Sequence, residues 1–119
     1  MSITIAPHDP GPHAAVVWVD GWHALVARSE EGRRTVTEVD REASPVLDYL
    51  LRVARETDDC DLLMILGPGD TRLAFEREYV ALYRRPDRLV DVEAAAGTTP
   101  TDLMDRLRFL DAQARPRHA

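Results

Sequence analysis

The glycine turn Gly67–Gly69, followed by Thr71 and Arg72, is the segment whose residue types and spacing best suit ligand chemistry. It joins an apolar run to an amphipathic segment, and such a turn is where α/β proteins bind anions, because free backbone N–H groups point at the ligand. It has neither the Lys of a P-loop nor the third glycine of a dinucleotide-binding loop, and Asp70 would repel a phosphate. We expect a tight strand–helix connection here. The alternative is an anion site formed by Gly67, Gly69, Thr71 and Arg72.

Asp20 is the carboxylate best placed for metal chemistry, because it ends the first apolar run, Ala14–Val19. Two-metal hydrolysis needs several carboxylates that converge on the ions. The fourth predicted strand ends in Leu66 and Gly67, where a second acid would be needed, and Asp61 stands at its other end. We therefore predict a turn residue and no metal site. The alternative is a metal-dependent nuclease or phosphohydrolase in which Asp20 is catalytic.

Three arginines, Arg84, Arg85 and Arg88, cluster around Pro86. Planar guanidinium groups bind phosphates and carboxylates with two parallel hydrogen bonds, so this patch suits RNA or an acidic partner. We expect a solvated helix end that the helix dipole favours, and the contact with RNA or an acidic partner is the alternative.

Two tryptophans and a histidine lie around the first predicted turn. For Trp18 and Trp22 we expect core or cross-strand packing rather than base stacking. His23 falls within a strand, where we expect a hydrogen-bonded structural histidine rather than a general base.

The composition excludes several classes of function. All 15 basic residues are arginine, so Schiff-base chemistry, a lysine general base and P-loop nucleotide binding are ruled out. The single cysteine, Cys60, excludes an internal disulfide and a cysteine-based zinc site, and we expect its acidic neighbours to raise its pKa. A net charge of -6 argues against binding free duplex DNA by bulk charge. No apolar run approaches the roughly 20 residues of a membrane span, so we expect a cytoplasmic protein, with no membrane contact and no cofactor.

The hydrophobic pattern predicts elements in the order β-β-β-α-β-α-β-α. Asp20-Gly21 is a dipeptide typical of two-residue hairpin turns with positive φ at both central positions. Ser44, Asp70 and Thr99 are the predicted N-caps of the three helices. The pattern indicates one domain over residues 14–112, an irregular arm over 1–13 and a frayed tail over 113–119.

A hairpin meander followed by βαβ units predicts an α/β (mixed α+β) fold, with a five-stranded mixed sheet and helices on its faces. This order is shared by the ribonuclease-H-like fold, in which three antiparallel strands precede two parallel ones. In nucleases of that fold the first strand carries a metal-binding Asp, which is the basis of the Asp20 alternative.

Four segments carry a wider resemblance: Val16–Ala24, Leu62–Phe75, Val90–Glu93 and Thr98–Asp102. In this order and spacing they resemble bacterial relatives of the archaeo-eukaryotic peptide-chain release factors and Pelota, in their ribonuclease-H-like or related α/β domain. The resemblance covers residues 14 to 112. The Gly-Gly-Gln tip with which release factors hydrolyse peptidyl-tRNA is absent, since Gln113 has no preceding glycine, and a basic segment after the second strand is missing. The resemblance therefore implies a translation domain without release chemistry.

We accordingly expect a non-enzymatic module that binds the ribosome, tRNA or a translation factor. The alternatives are the Asp20-dependent enzyme and a protein-interaction domain, monomer or homodimer, that pairs through an exposed third strand.

Overall fold

The elements of the chain follow one another in the predicted order. The computed structural model describes residues 13–30, 32–58 and 60–114. The strands are β1 (Ala14–Val19), β2 (His23–Glu30), β3 (Arg33–Asp40), β4 (Leu62–Gly67) and β5 (Leu89–Ala94). The helices are α1 (Val46–Arg55), α2 (Gly69–Tyr83) and α3 (Pro100–Ala114), with a short 3₁₀ helix at Pro86–Arg88.

The strands form one mixed sheet in the order β3-β2-β1-β4-β5. The first three strands are antiparallel, β4 is parallel to β1, and β5 is parallel to β4. The predicted α/β class and the ribonuclease-H-like strand arrangement are therefore confirmed. The third strand is an edge strand, as expected, and β5 is the other edge.

The central strand β1 is buried along its whole length, because helices cover both faces of the sheet. Its alternate residues Ala15, Val17 and Val19 belong to a core shared with α1 and α2, whereas Ala14, Val16 and Trp18 belong to a second core shared with α3. The two helix layers overlap on the sheet, and α1 contacts β3 on the same face as α2. α2 packs against β1, β4 and β5, and α3 packs against β1, β2 and β3.

Two of the three predicted helix caps are wrong. α1 begins after Pro45 and α2 after Pro68, and neither helix has a side-chain cap hydrogen bond. A proline at the N-cap removes one of the N–H groups that a helix leaves unpaired, and it has no side-chain acceptor for the others. The hydroxyl of Ser44 instead accepts a hydrogen bond from Arg52 at 3.2 Å, and Asp70 lies inside the first turn of α2.

The third predicted cap is confirmed. The hydroxyl oxygen of Thr99 accepts the backbone N–H of Asp102 at 3.1 Å, at the start of α3. Thr99 thereby satisfies one of the N–H groups that a helix leaves unpaired in its first turn.

The turn between β1 and β2 differs from the predicted one. The backbone N–H of Asp20 donates to the carbonyl of His23 at 3.0 Å, so Gly21 and Trp22 are the central residues. Neither has a positive φ. The Asp20 carboxylate accepts the backbone N–H groups of Trp22 at 2.8 Å and His23 at 2.9 Å. These side-chain hydrogen bonds shape the turn in place of the left-handed backbone that Asp-Gly predicted.

Both predicted ends of the chain lie mainly outside the described residues. Of the expected arm only His13 is described, and its carbonyl accepts the N–H of Asp61 at 2.6 Å. α3 continues through Gln113 and Ala114, two residues past the predicted end of the domain. Across the described ranges, the helices are too short or too polar to cross a membrane.

Candidate functional site

The glycine turn of the sequence lies where the parallel strands β1 and β4 end. Gly67 is the last residue of β4 and Gly69 the first of α2. A β-carbon built on Gly21 would lie 3.9 Å from the hydroxyl oxygen of Thr71, so the β1–β2 turn stands beside the first turn of α2. This surface, formed by Gly21, Trp22, Arg41 and the segment Gly69–Arg72, is termed the carboxyl edge.

Trp22 is exposed at the carboxyl edge, with 70% of its surface in solvent. The predicted packing of this tryptophan is therefore wrong, because a central turn residue points away from both neighbouring strands. The guanidinium carbon of Arg41 lies 5.2 Å from the centre of the indole ring. Arg41 is itself held in place by hydrogen bonds to the carbonyls of Ser44 at 2.9 Å and Gly21 at 3.2 Å. An exposed indole held by a fixed cation suits stacking with a planar group such as a nucleobase.

Arg72 contributes a donor to the same edge. Its Nε is buried and has no hydrogen-bond partner within the described ranges. A buried donor left unsatisfied costs about 1–3 kcal/mol, but a ligand could reach this shielded atom only after the side chain moved.

The helix start beside Arg72 has uncapped backbone N–H groups, since no side chain caps α2. Asp70 is exposed in the first turn of α2, so its carboxylate lies near these N–H groups, but it accepts no hydrogen bond from them. Gly67, Gly69, Thr71 and Arg72 thus lie in one segment from the end of β4 into α2, and an anion site there stays a prediction.

Asp20 lies at the same edge of the sheet, but its polar groups are used within the turn. Its carboxylate accepts two backbone N–H groups and lies 3.5 Å from Nδ1 of His23. Its backbone carbonyl accepts the hydroxyl of Tyr49 at 2.9 Å. Within residues 13–30, 32–58 and 60–114, no group of three or more His, Cys, Asp and Glu side chains could hold a metal ion. The geometry is that of a turn residue.

The arginine cluster lies at the other end of α2. That helix has 15 residues, a length of about 22 Å, so Arg72 and Arg84 cannot contact one small ligand together. Arg85 donates to both carboxylate oxygens of Asp87, at 3.0 and 2.8 Å, and these hydrogen bonds lower the pKa of Asp87. The guanidinium of Arg88 lies 6.0 Å from the ring centre of Tyr83. Arg85 and Arg88 therefore already interact with side chains of this chain, and Arg84 is exposed at the end of α2.

The packing predicted for Trp18 is confirmed, and His23 lies in β2, as predicted. Trp18 is 5% exposed and its indole N–H donates to the carbonyl of Ala95 at 3.0 Å. The ring of His23 packs 5.2 Å from that of Trp18. The pair of Trp22 and Arg41 is what sequence reasoning missed. The available signal was a tryptophan placed directly after an Asp-Gly turn.

Cys60 is buried and its thiol is not poised for nucleophilic chemistry. Burial raises its pKa from an ordinary 9.0 to about 11. The predicted direction is confirmed, but the predicted cause is not the main one: desolvation dominates, and the neighbouring Asp61 adds little.

Comparison with known proteins identifies the fold. No family model and no curated protein matches the chain. Among solved structures, Pelota from Archaeoglobus fulgidus matches 83% of this chain with a TM-score of 0.64 and 16% identity. The archaeal translation termination factor aRF1 matches 78% with a TM-score of 0.57 and 15% identity. The chain has a Pelota-like domain fold.

A eukaryotic structure extends the comparison. Dom34 of S. cerevisiae, described as a translation termination-like factor involved in RNA quality control pathways and interacting with Hbs1, matches 88% of the chain with a TM-score of 0.57 and 8% identity. The chain spans about a third of the length of each neighbour: 31% of Pelota, 32% of aRF1 and 35% of Dom34. At these identities the likeness concerns the fold.

Proposed function

We propose that this chain is a non-enzymatic, translation-associated module that contacts RNA of the ribosome or tRNA through the carboxyl edge. The observation that carries the proposal is the fold, which the chain shares with proteins described as translation termination and termination-like factors.

The carboxyl edge favours RNA as the contact. Unpaired bases stack on aromatic rings, and Trp22 presents an exposed indole beside the fixed guanidinium of Arg41. The uncapped start of α2 adds backbone donors, and the half-buried Arg72 adds positive charge, for a phosphate next to the stacked base. Because the whole chain carries a charge of -6, binding depends on this local geometry rather than on bulk charge.

Sedimentation of the purified chain with ribosomes tests the proposal, over a salt series from about 50 to about 300 mM. We expect co-sedimentation at low salt that weakens as salt rises. Trp22→Ala and Arg72→Gln should each reduce the bound fraction, Trp22→Ala by about tenfold in affinity, since stacking on one ring is worth about 1–3 kcal/mol. Arg77→Gln, an exposed change in the middle of α2, is the matched control.

The arginine cluster provides the competing outcome. If Arg84→Gln with Arg88→Gln abolishes co-sedimentation while Trp22→Ala leaves it intact, the contact lies at the opposite end of α2 and the carboxyl edge is not the site. Absence of co-sedimentation at the lowest salt, with fluorescently labelled tRNA also unbound, would overturn the RNA-binding function as a whole.

A further inference from the structure

We propose that the groove between β5 and α3 is a docking site for a basic amphipathic helix of a partner protein. The groove has a volume of about 560 Å³ and lies on the face of the sheet away from α1 and α2. This surface is separate from the carboxyl edge, so the proposal does not depend on RNA binding.

The groove lies where the cover that α3 gives the sheet thins out toward the edge strand β5. α3 packs mainly against β1, β2 and β3. It reaches the parallel strands through Met64 and Leu66, which share its core, and through the ion pair of Arg106 with Glu93. Parallel strands in α/β proteins normally carry helices on both faces. The apolar surface still open to a partner on this face is at Val90 and Phe109, beside α3.

The apolar surface of the groove suits such a helix. Met64 and Leu66 of β4 form its floor, and Val90 and Phe109 form exposed apolar parts of its walls, with 41% and 59% of their surfaces in solvent. The lining of α3 extends from Asp102 to Gln113, a length of about 16 Å, which matches a partner helix of about three turns.

The negative charge of the groove walls favours a basic partner. The charged lining residues are four carboxylates and one arginine: Asp91, Glu93, Asp102, Asp105 and Arg106. Arg106 is paired with Glu93 at 3.0 Å, and Asp105 is paired with Arg108 at 3.2 Å. Asp91 and Asp102 have no ion pair among the described residues, so they stand on opposite walls as uncompensated negative charges. A helix with an apolar stripe flanked by Arg or Lys would bury Phe109 and pair with both carboxylates.

The register of β5 explains why acidic side chains reach the groove. Asp91 pairs with Met64 and Glu93 pairs with Leu66, so both carboxylates project from the same face of the sheet as these apolar side chains. A register shift between Leu63 and Met64 brings Val90 into the lining of the same groove.

The test uses the full chain and a fluorescein-labelled peptide of about 14 residues, with leucines along one helical face and arginines on the other. Binding is measured by fluorescence anisotropy and located by amide chemical shifts. We expect shifts along α3 and β5, at least tenfold weaker binding for Phe109→Ser, and about tenfold weaker binding for the double variant Asp91→Asn, Asp102→Asn. The matched controls are Leu47→Ser and Asp48→Asn on α1, which should bind like the unaltered chain. Leu47 is 53% exposed, so its substitution is comparable to that of Phe109.

Four results would overturn the proposal. The first is shifts that map outside the groove, and the second is equal binding of a peptide with the same composition in scrambled order. The third is a dimer in sedimentation equilibrium that Phe109→Ser dissociates, because a second copy would then fill the groove. The fourth is binding that tightens tenfold when residues 115–119 are removed, because the chain's own end would then be the occupant.

Discussion

The backbone of Gly67 passes so close to Val19 that a β-carbon on Gly67 would lie 2.2 Å from the carbonyl oxygen of Val19. Gly67 also has a φ of 148°, a conformation that other residues rarely adopt. The two residues end the neighbouring parallel strands β4 and β1, so this contact sets the spacing of the carboxyl edge.

Gly67→Ala should therefore destabilise the fold by at least about 2–3 kcal/mol, because strain and a backbone clash combine. The change is measured by urea denaturation. Gly97→Ala is the control, since a β-carbon there meets no atom within 4 Å and the residue has no positive φ. Equal stabilities of the two variants would contradict the close approach.

Asp20 should behave as a turn residue in mutagenesis. Asp20→Ala removes the acceptor of two backbone N–H groups and should cost about 1–2 kcal/mol in the free energy of unfolding. Asp20→Asn keeps an amide oxygen as acceptor and should retain most of the stability. Mg²⁺-dependent cleavage of labelled RNA that Asp20→Asn abolishes would instead assign the carboxylate a catalytic role.

Alkaline pH should destabilise the core around Cys60 and Tyr79. Burial raises the pKa of Cys60 from 9.0 to about 11 and that of Tyr79 from 10.0 to about 12. The folded state thus holds both protons more tightly than the unfolded state does. The resulting stability is fully present below pH 9 and is lost as pH rises toward 12. Urea titrations between these values should show a fall that is smaller in Cys60→Ala.

The same burial should protect Cys60 from alkylation. At pH 8 a thiol with a pKa of about 11 has about a hundredfold less thiolate than one at 9. Iodoacetamide should accordingly label the folded chain at least about a hundredfold more slowly than the urea-unfolded chain. Equal rates would mean that the thiol is accessible.

The ion pair between Arg34 and Asp111 should link the edge strand β3 to α3. Nε of Arg34 donates to Asp111 at 3.0 Å, and the Asp111 side chain is 11% exposed. Arg34→Met leaves this carboxylate without its partner and should cost about 1–3 kcal/mol, less than a fully buried pair because Arg34 is 38% exposed. Arg85→Met, which breaks an exposed pair with Asp87, should leave the unfolding midpoint unchanged. Both are measured by urea denaturation.

The sequence predicted most of the fold because its signals are local. The apolar run of β1, the helical spacing after Pro45 and the cap at Thr99 each depend on neighbours within a few residues, and hydrophobic periodicity reports such neighbours directly. The order of elements, with right-handed crossovers, then restricted the sheet to few arrangements. The caps predicted at Ser44 and Asp70 were wrong because Pro45 and Pro68 occupy the N-cap positions of α1 and α2.

The surfaces that bear on function required the tertiary structure. The sequence by itself determined that lysine makes no cationic contact, and it predicted an unreactive thiol at Cys60 and a glycine turn before α2. The burial that raises the pKa of the thiol came from the fold. Only the fold decided that Trp22 lies beside Arg41, that Arg72 and Arg84 are separated by the length of a helix, and that the acidic side of β5 lines a groove. These relationships join residues that are distant in sequence. The distances between them depend on strand pairing and on how the helices cover the sheet, and local sequence patterns encode neither.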